Sequence, residues 1–396
     1  MRGRWSGGHL KGGRSGRAVA AGLTCAAVGC VAGGGDSADS SMPPDAPIEV
    51  VAAPSLCVGV AEGDPAQELD RVVTPFVLRD GRLVVPLAGP GEIRVFDAAG
   101  MHLLTMGRKG EGPGEFMSLQ AAWPRGDTIE AFDSRLLRIT RFLPDGAVEV
   151  VSIEPIPSAQ AAVSGSPSFG WVLTGVADAG MGRRDQVALH RLGRDGSHLG
   201  EVTRFEGMAR YQVGNFSGPD PLSPKTVSVV YGDRIYAGET LTPSLSVFGP
   251  DGMLERTITW LPTLPAAATD AYETVINAAV AAAPAERAQE TRARLEAFPK
   301  ASSVSVYWGA LVDDAGFLWI RPFDPVQHAL VLGGYNSPGK GGEWLVIAPD
   351  GVTSTTVQVP SQLEPSLITS NDMVGIRRDE LGVESVCVHP VLRQGP

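Results

Sequence analysis

The chain is short of cysteine, histidine and basic runs, and each shortage removes a class of function. Its six histidines, His9, His102, His190, His198, His328 and His389, are scattered, and no pair has the His-Glu-x-x-His spacing of a zinc hydrolase. No Gly-x-Ser-x-Gly elbow occurs, which removes the usual serine-hydrolase signature. No Gly-Lys-Ser/Thr closes a glycine-rich loop, so a P-loop is absent. After residue 30 there is no Lys/Arg run. The first 30 residues hold five of the 33 basic residues, leaving 28 against 44 acidic ones, a net charge of −16. Such a body repels phosphate backbones and disfavours nucleic acid as a partner.

What is abundant is punctuation. The 49 glycines and 31 prolines in 396 residues indicate many tight turns and few long helices. Hydrophobic residues make up 43%, enough for a folded interior. The length is large for one core, but repeat architectures escape that limit because each unit packs only on its neighbours.

The N-terminus has the layout of an export signal. Arg2, Arg4, Lys11, Arg14 and Arg17 precede the apolar run AVAAGLTCAAVGCVA at 18–32, which is too short to span a bilayer comfortably. A disordered tail is the alternative. Ala27-Val28-Gly29-Cys30 resembles a lipoprotein cleavage site with Cys30 as the lipidated residue, although Ala27 stands where Leu is preferred. Residues 1–30 are therefore read as a signal peptide and 31–54 as a flexible, Gly/Ser/Pro/Asp-rich linker. Of the four cysteines, Cys57 and Cys387 remain in the body. They form either a disulfide, as an oxidising compartment allows, or two buried thiols.

A turn recurs along the body. FDAAG, FLPDG, LGRDG, FGPDG and IAPDG end at Gly100, Gly146, Gly196, Gly252 and Gly351, with gaps of 46, 50, 56 and 99 residues. Each follows an alternating apolar stretch, as a hairpin turn should. A second turn-plus-strand signal precedes most of them: DGRLVVPL at 80–87, GDTIEAFD at 126–133, GDRIYAG at 232–238 and AGFLWIRP at 315–322. Two turns per repeat describe a four-stranded meander, and about 40–50 residues per repeat describes a propeller blade. The long last gap contains a change of period. Asp270 and Glu273 make a helix-start box, and Val275, Ile276, Ala279 and Val280 one apolar face; Pro284 opens a second helix with Ala288, Thr291, Leu295 and Phe298. This predicts a two-helix insertion at 265–299. The C-terminal strands need a partner from the other end of the chain, and the segment around Cys57 is the candidate. The expected fold is all-β, a six-bladed β-propeller of four-stranded antiparallel blades over 55–392, with the insertion between blades four and five.

The stretch 106–146 resembles the NHL-repeat type of β-propeller at Gly107, Gly110, Gly112, Gly114, Phe116, Asp133, Arg138, Ile139, Asp145 and Gly146. The body as a whole resembles an exported bacterial six-bladed propeller family, through the insertion, DDAGFLWIRPF at 313–323 and RRDELGVESVCV at 377–388. The resemblance implies fold and export and little about activity.

Three groups of residues are candidates for function. The loop RKGEGPGEF, with Arg108, Lys109 and Glu111, is either an anion cradle or an inter-blade turn packed by Phe116. Asp133 and Arg138 are expected as a structural ion pair. Trp308, Arg321, Tyr335 and Trp344 are candidates for a stacking surface. No catalytic residue, protein-bound metal or cofactor is assigned; a divalent cation in the central channel is the one cofactor left open. The resulting expectation is a monomeric, non-catalytic exported module for a protein, peptide or glycan in the periplasm, on the outer membrane or outside the cell. Its only membrane link would be the lipid anchor. The alternative is a lactonase- or lyase-like enzyme using a metal on the axis.

Overall fold

Each Asp-Gly turn closes a hairpin by the same local chemistry. The Asp97 carboxylate accepts the N–H groups of Ala99 and Met101, and Asp145, Asp195, Asp251 and Asp350 each accept the N–H two residues on. The closing glycine then takes a positive φ, between 74° and 86° at Gly100, Gly146, Gly196, Gly252 and Gly351. A side chain there would be strained, which is why the turn is visible as a repeat.

In the computed structural model the described residues are 48–393, except 157–158, 164–168, 179–182, 214–215, 221, 262–267, 298–299, 301 and 329–340. They form six antiparallel sheets; in blades one, two, four and five the strand that lines the central channel is the first of its blade in chain order, and in blade six it is Leu363–Ile368. Blade one comprises Phe76–Val77, Leu83–Leu87, Glu92–Phe96 and His102–Met106. Blade two comprises Leu119–Arg125, Thr128–Asp133, Arg138–Phe142 and Val148–Ser152. Blade three runs Ala159–Val163, Trp171–Asp178, Arg184–Leu192 and His198–Val213, with Phe216–Pro219 added at its edge. Blade four is Thr226–Tyr231, Arg234–Glu239, Ser244–Phe248 and Leu254–Thr259. Blade five is Tyr307–Val312, Leu318–Pro322, Gly342–Ile347 and Ser354–Val359. Each blade packs on the next, and the sixth packs on the first, so the sheets form a closed six-bladed propeller.

Closure uses both ends of the body. Blade six takes Leu363–Ile368, Asp372–Arg378 and Glu384–Arg393 from the C-terminal side. Ile48–Val50 and Leu56–Val58 then pair with Glu384–Arg393 from the N-terminal side. Cys57 lies opposite Cys387 in that register, and the two are joined by a disulfide. The propeller thus includes residues before the boundary expected at 55: the sequence places 48–50 in a linker, but Ile48 and Val50 are buried in the core between blades five and six.

Short side chains stitch the blades together. Thr74 Oγ1 donates to the Ala122 carbonyl and accepts the Ala122 N–H, linking blades one and two. Glu130, fully buried, accepts the indole N–H of Trp123 and of Trp171 and pairs with Arg125 and Arg141, linking blades two and three. Burial pushes its carboxyl up, but those donors hold it below the ordinary value. Asp313 joins blades five and six by accepting from Trp319 and Arg393.

The insertion between blades four and five is helical as expected: α1 (Ala268–Ala282) is followed by a short 3-10 turn and α2 (Ala288–Glu296). Ala271, Tyr272 and Val275 of α1 pack on Leu222 and Val304, and Tyr272 donates its hydroxyl to Asp220.

The disulfide spans 330 residues, so loop-entropy reasoning gives it a contribution of about 6 kcal/mol at most. Replacing both cysteines by alanine should lower the unfolding free energy by about 2–5 kcal/mol in urea titrations. An unchanged midpoint would mean that the joint is held by the strands alone.

Candidate functional site

A meander fixes which face can carry a site. The Asp-Gly turns join third to fourth strands, and turns such as 126–127 and 232–233 join first to second strands, so both lie on one face. The opposite face carries the second-to-third connections and the links between blades. The described residues place a cavity of about 330 Å3 on this second face, lined by Lys225, Trp308, Arg321, His328, Trp344 and Glu364 among others. It shares Ala310 and Leu311 with the central channel, whose described lining comes from the inner strands of blades one, two, four, five and six. That lining is Thr74, Ser228, Ser366 and apolar side chains. Among the described residues no group of three or more His, Cys, Asp and Glu is arranged to hold a metal ion.

Lys225 ends the link into blade four and precedes its innermost strand. Its backbone is fixed by Thr240, whose hydroxyl accepts the Lys225 N–H and whose own N–H donates to the Lys225 carbonyl. The ammonium lies 3.6 Å from the centroid of the Trp308 ring, and no carboxylate pairs with it among the described residues. Burial and the nearby Arg321 pull the amine down to about 7, against the opposing pull of Glu364.

The Trp308 ring is also stacked on His328, with centroids 4.2 Å apart and planes 4° apart. His328 belongs to α3 (Pro325–His328), a single turn that packs on α1. The insertion therefore buttresses one wall of the cavity. His328 is only 4% exposed. Its Nδ1 accepts the Asp324 N–H, so the neutral ring carries its proton on Nε2. That Nε2 is buried and lacks a hydrogen-bond partner among the described residues. Burial, with Arg321 and Lys225 close by, drives the imidazole down to about 2.

The third wall is a chain of charges. Glu364 accepts from Arg321 at 2.9 Å and from Arg378 at 3.0 Å. Arg378 also pairs with Glu384, which accepts the Val72 N–H. The chain joins blades five, six and one. Although burial works to raise the Glu364 carboxyl, the two arginines keep it ionised. Counting Lys225 as charged, the cavity lining carries two cations, Lys225 and Arg321, against one carboxylate, Glu364, so it favours an anion.

The residues singled out in the sequence divide between places. Trp308 and Arg321 line this cavity. Trp344 does as well, but at 2% exposure it is core between blades five and six, so its expected place on an open stacking surface is corrected. Its alternation within Gly342–Ile347 points it inward. Tyr335 lies outside the described residues. Arg108, Lys109 and Glu111 sit far along the ring, on the link between blades one and two. Arg108 pairs with Glu115 beside a groove of about 490 Å3, and the Lys109 ammonium donates to the Ala88 carbonyl. The loop's own N–H groups are turned inward, Gly112 to the Glu115 carboxylate and Gly110, Glu115 and Phe116 to loop carbonyls, while the carbonyls of Glu111, Gly112 and Glu115 accept from Arg138. Phe116 is fully buried beneath it. The expected Asp133–Arg138 ion pair is likewise replaced. Asp133 spends its carboxylate on the N–H groups of Met117, Ser118, Arg135 and Leu136, which leaves Arg138 to clamp the loop. Lys225, His328 and Glu364 were missed. They lie up to 139 positions apart in the sequence, and only the ring brings them together.

No protein-family model and no curated protein matches the chain. Solved structures similar to it include a member of the DUF4221 family from Bacteroides vulgatus, at 11% identity, covering 88% of this chain and 99% of that one, TM-score 0.48. A putative exported protein from Bacteroides fragilis is 11% identical over 88% and 95% of the two chains, TM-score 0.44. A streptogramin B lyase is 10% identical over 88% and 98%, TM-score 0.42.

The His328 imidazole makes stability depend on acidity. Its folded value lies below the ordinary 6.5, so the unfolded chain binds a proton that the folded chain refuses. The contribution is complete above that value and is lost as pH falls through it, by about 1.4 kcal/mol per pH unit. Between pH 7 and pH 5 the unfolding free energy of the native protein should fall about 2 kcal/mol further than that of His328→Asn. Equal losses in the two proteins would place a charged imidazole in the cavity.

Proposed function

We propose that this protein is an exported binding module, and that the cavity at the mouth of the channel takes an acidic end group of a peptide or glycan in the cell envelope. The observation that carries the reading is the convergence, in one cavity, of an indole face and, among the described residues, an ammonium without a carboxylate and a buried imidazole N–H without a partner. The ammonium and the N–H are each costly to leave unmatched. A ligand with a carboxylate beside an apolar or sugar-like face would match all three. A cavity of about 330 Å3 is near the small end for ligand pockets, which suits one terminal residue rather than a long segment.

Export is supported by the basic and apolar N-terminal segment and by the Cys57–Cys387 bridge, which suits an oxidising compartment. No described helix is long and apolar enough to cross a membrane. A lipid on Cys30 would then be the membrane link, and the mature domain would act as a monomer.

Calorimetry against peptides, neutral glycans and uronic-acid oligosaccharides tests the proposal. Acidic ligands should bind and neutral ones should not. Trp308→Ala should weaken binding by about 2 kcal/mol, roughly 30-fold. Binding that ignores Trp308, or that prefers neutral ligands, would contradict it.

A further inference from the structure

The chain contains only five lysines, Lys11, Lys109, Lys225, Lys300 and Lys340. Two of those outside the cavity have ordinary surface roles. Lys109 donates to backbone carbonyls, and Lys300 lies 3.8 Å from the Glu273 carboxylate. Lys225 differs in every respect that governs amine reactivity. It is half-buried, it lines a cavity, its Nζ rests against an aromatic face, and its nearest charged neighbours include the cation Arg321. A lysine desolvated in this way beside another cation is the environment that frees an amine lone pair at neutral pH. The rest of the cavity supplies what a carbonyl acid needs. Arg321 uses one nitrogen on Glu364, and its remaining N–H groups have no described partner, so they are free to hold a carboxylate. His328 fixes the wall behind Trp308 by stacking on its ring, with Nε2 buried and without a partner among the described residues.

We propose that Lys225 is an imine-forming amine, and that the acidic end group taken by this cavity carries an aldehyde or ketone next to its carboxylate. The proposal rests on the binding reading above and adds covalent capture to it. The neutral amine attacks the carbonyl carbon, forming the C–N bond while the C=O electron pair moves onto oxygen. Two protons pass in turn from nitrogen to that oxygen. The C–O bond then breaks as the nitrogen lone pair forms C=N, water leaves, and the imine remains. No electrons are exchanged, and hydrolysis by water reverses the capture. Arg321 and His328 are positioning residues in this scheme.

The test uses the mature domain with glyoxylate or pyruvate and sodium cyanoborohydride, which reduces an imine to a stable secondary amine. Peptide mapping should find a carboxymethyl or carboxyethyl group on Lys225, at about tenfold or more the level on Lys109 or Lys300. Labelling should rise through a pH near 7, where a surface lysine would rise near 10.4. Lys225→Arg should lose the adduct with its melting temperature checked alongside, and excess lactate, which has the carboxylate but no carbonyl, should suppress it in the native protein. In parallel, lactate is titrated calorimetrically against the native protein and Trp308→Ala. Trp308-dependent lactate binding without an adduct on Lys225 would overturn the imine and leave the binding site standing. Labelling spread evenly over the lysines would also overturn it. If there were neither lactate binding nor an adduct, both readings would fall.

Discussion

Ring closure is the constraint on which everything else depends. A four-stranded blade has two apolar faces and no second layer of its own, so it is buried only when pressed between two others. Five blades can be drawn from consecutive chain, but the sixth cannot close without a strand from the far end. Here Glu384–Arg393 carries that load by pairing with Asp372–Arg378 on one side and with both N-terminal strands on the other. Val386, Cys387 and Val388 are buried at this joint, and the bridge to Cys57 turns a pairing of two chain ends into a covalent one.

The same closure creates the candidate site. Lys225, Trp308, Arg321 and Glu364 lie on three consecutive blades and have no reason to meet except that the inner strands converge on an axis. The charged chain Arg321–Glu364–Arg378–Glu384 runs across the closing blade to the backbone of Val72 in the first. It therefore serves as an inter-blade stitch and as a wall of the cavity. Buried pairs of this kind add little net stability, because desolvation offsets their attraction, but removing one partner leaves a stranded charge. Site and joint are thus coupled, and a loosened sixth blade should also disturb the cavity.

Much of the fold was legible in the sequence, and little of the site, for one reason. Propeller turns are local: Asp at one position and a positive φ at the glycine dictate residue types within five positions, so the blades and the helical insertion could be counted. The most regular of those turns lie on the face opposite the cavity. The glycine-rich loop at 108–116 stands out for its composition, yet its N–H groups bond within the loop, its carbonyls hold Arg138 and its floor is Phe116. Trp308 and Arg321 stand out in the sequence only as side chains able to stack on a ligand. Lys225 was hidden in an ordinary Ser-Pro-Lys-Thr link, and His328 looked like one scattered histidine among six. Their meaning is carried by long-range packing, which no local pattern encodes. The strand Ile48–Val50 was missed for a related cause: three residues beside a Pro-rich stretch give too short an alternation to read as a strand.

Hydrogen exchange of the backbone amides tests the central claim most directly, because it asks whether the ring opens as one body. If closure holds the domain together, amides of Glu384–Arg393 and Leu363–Ile368 should exchange in the same slow, global event as the buried strands Leu83–Leu87 and Leu318–Pro322. Faster exchange of the sixth blade alone, with the other five still protected, would contradict the account.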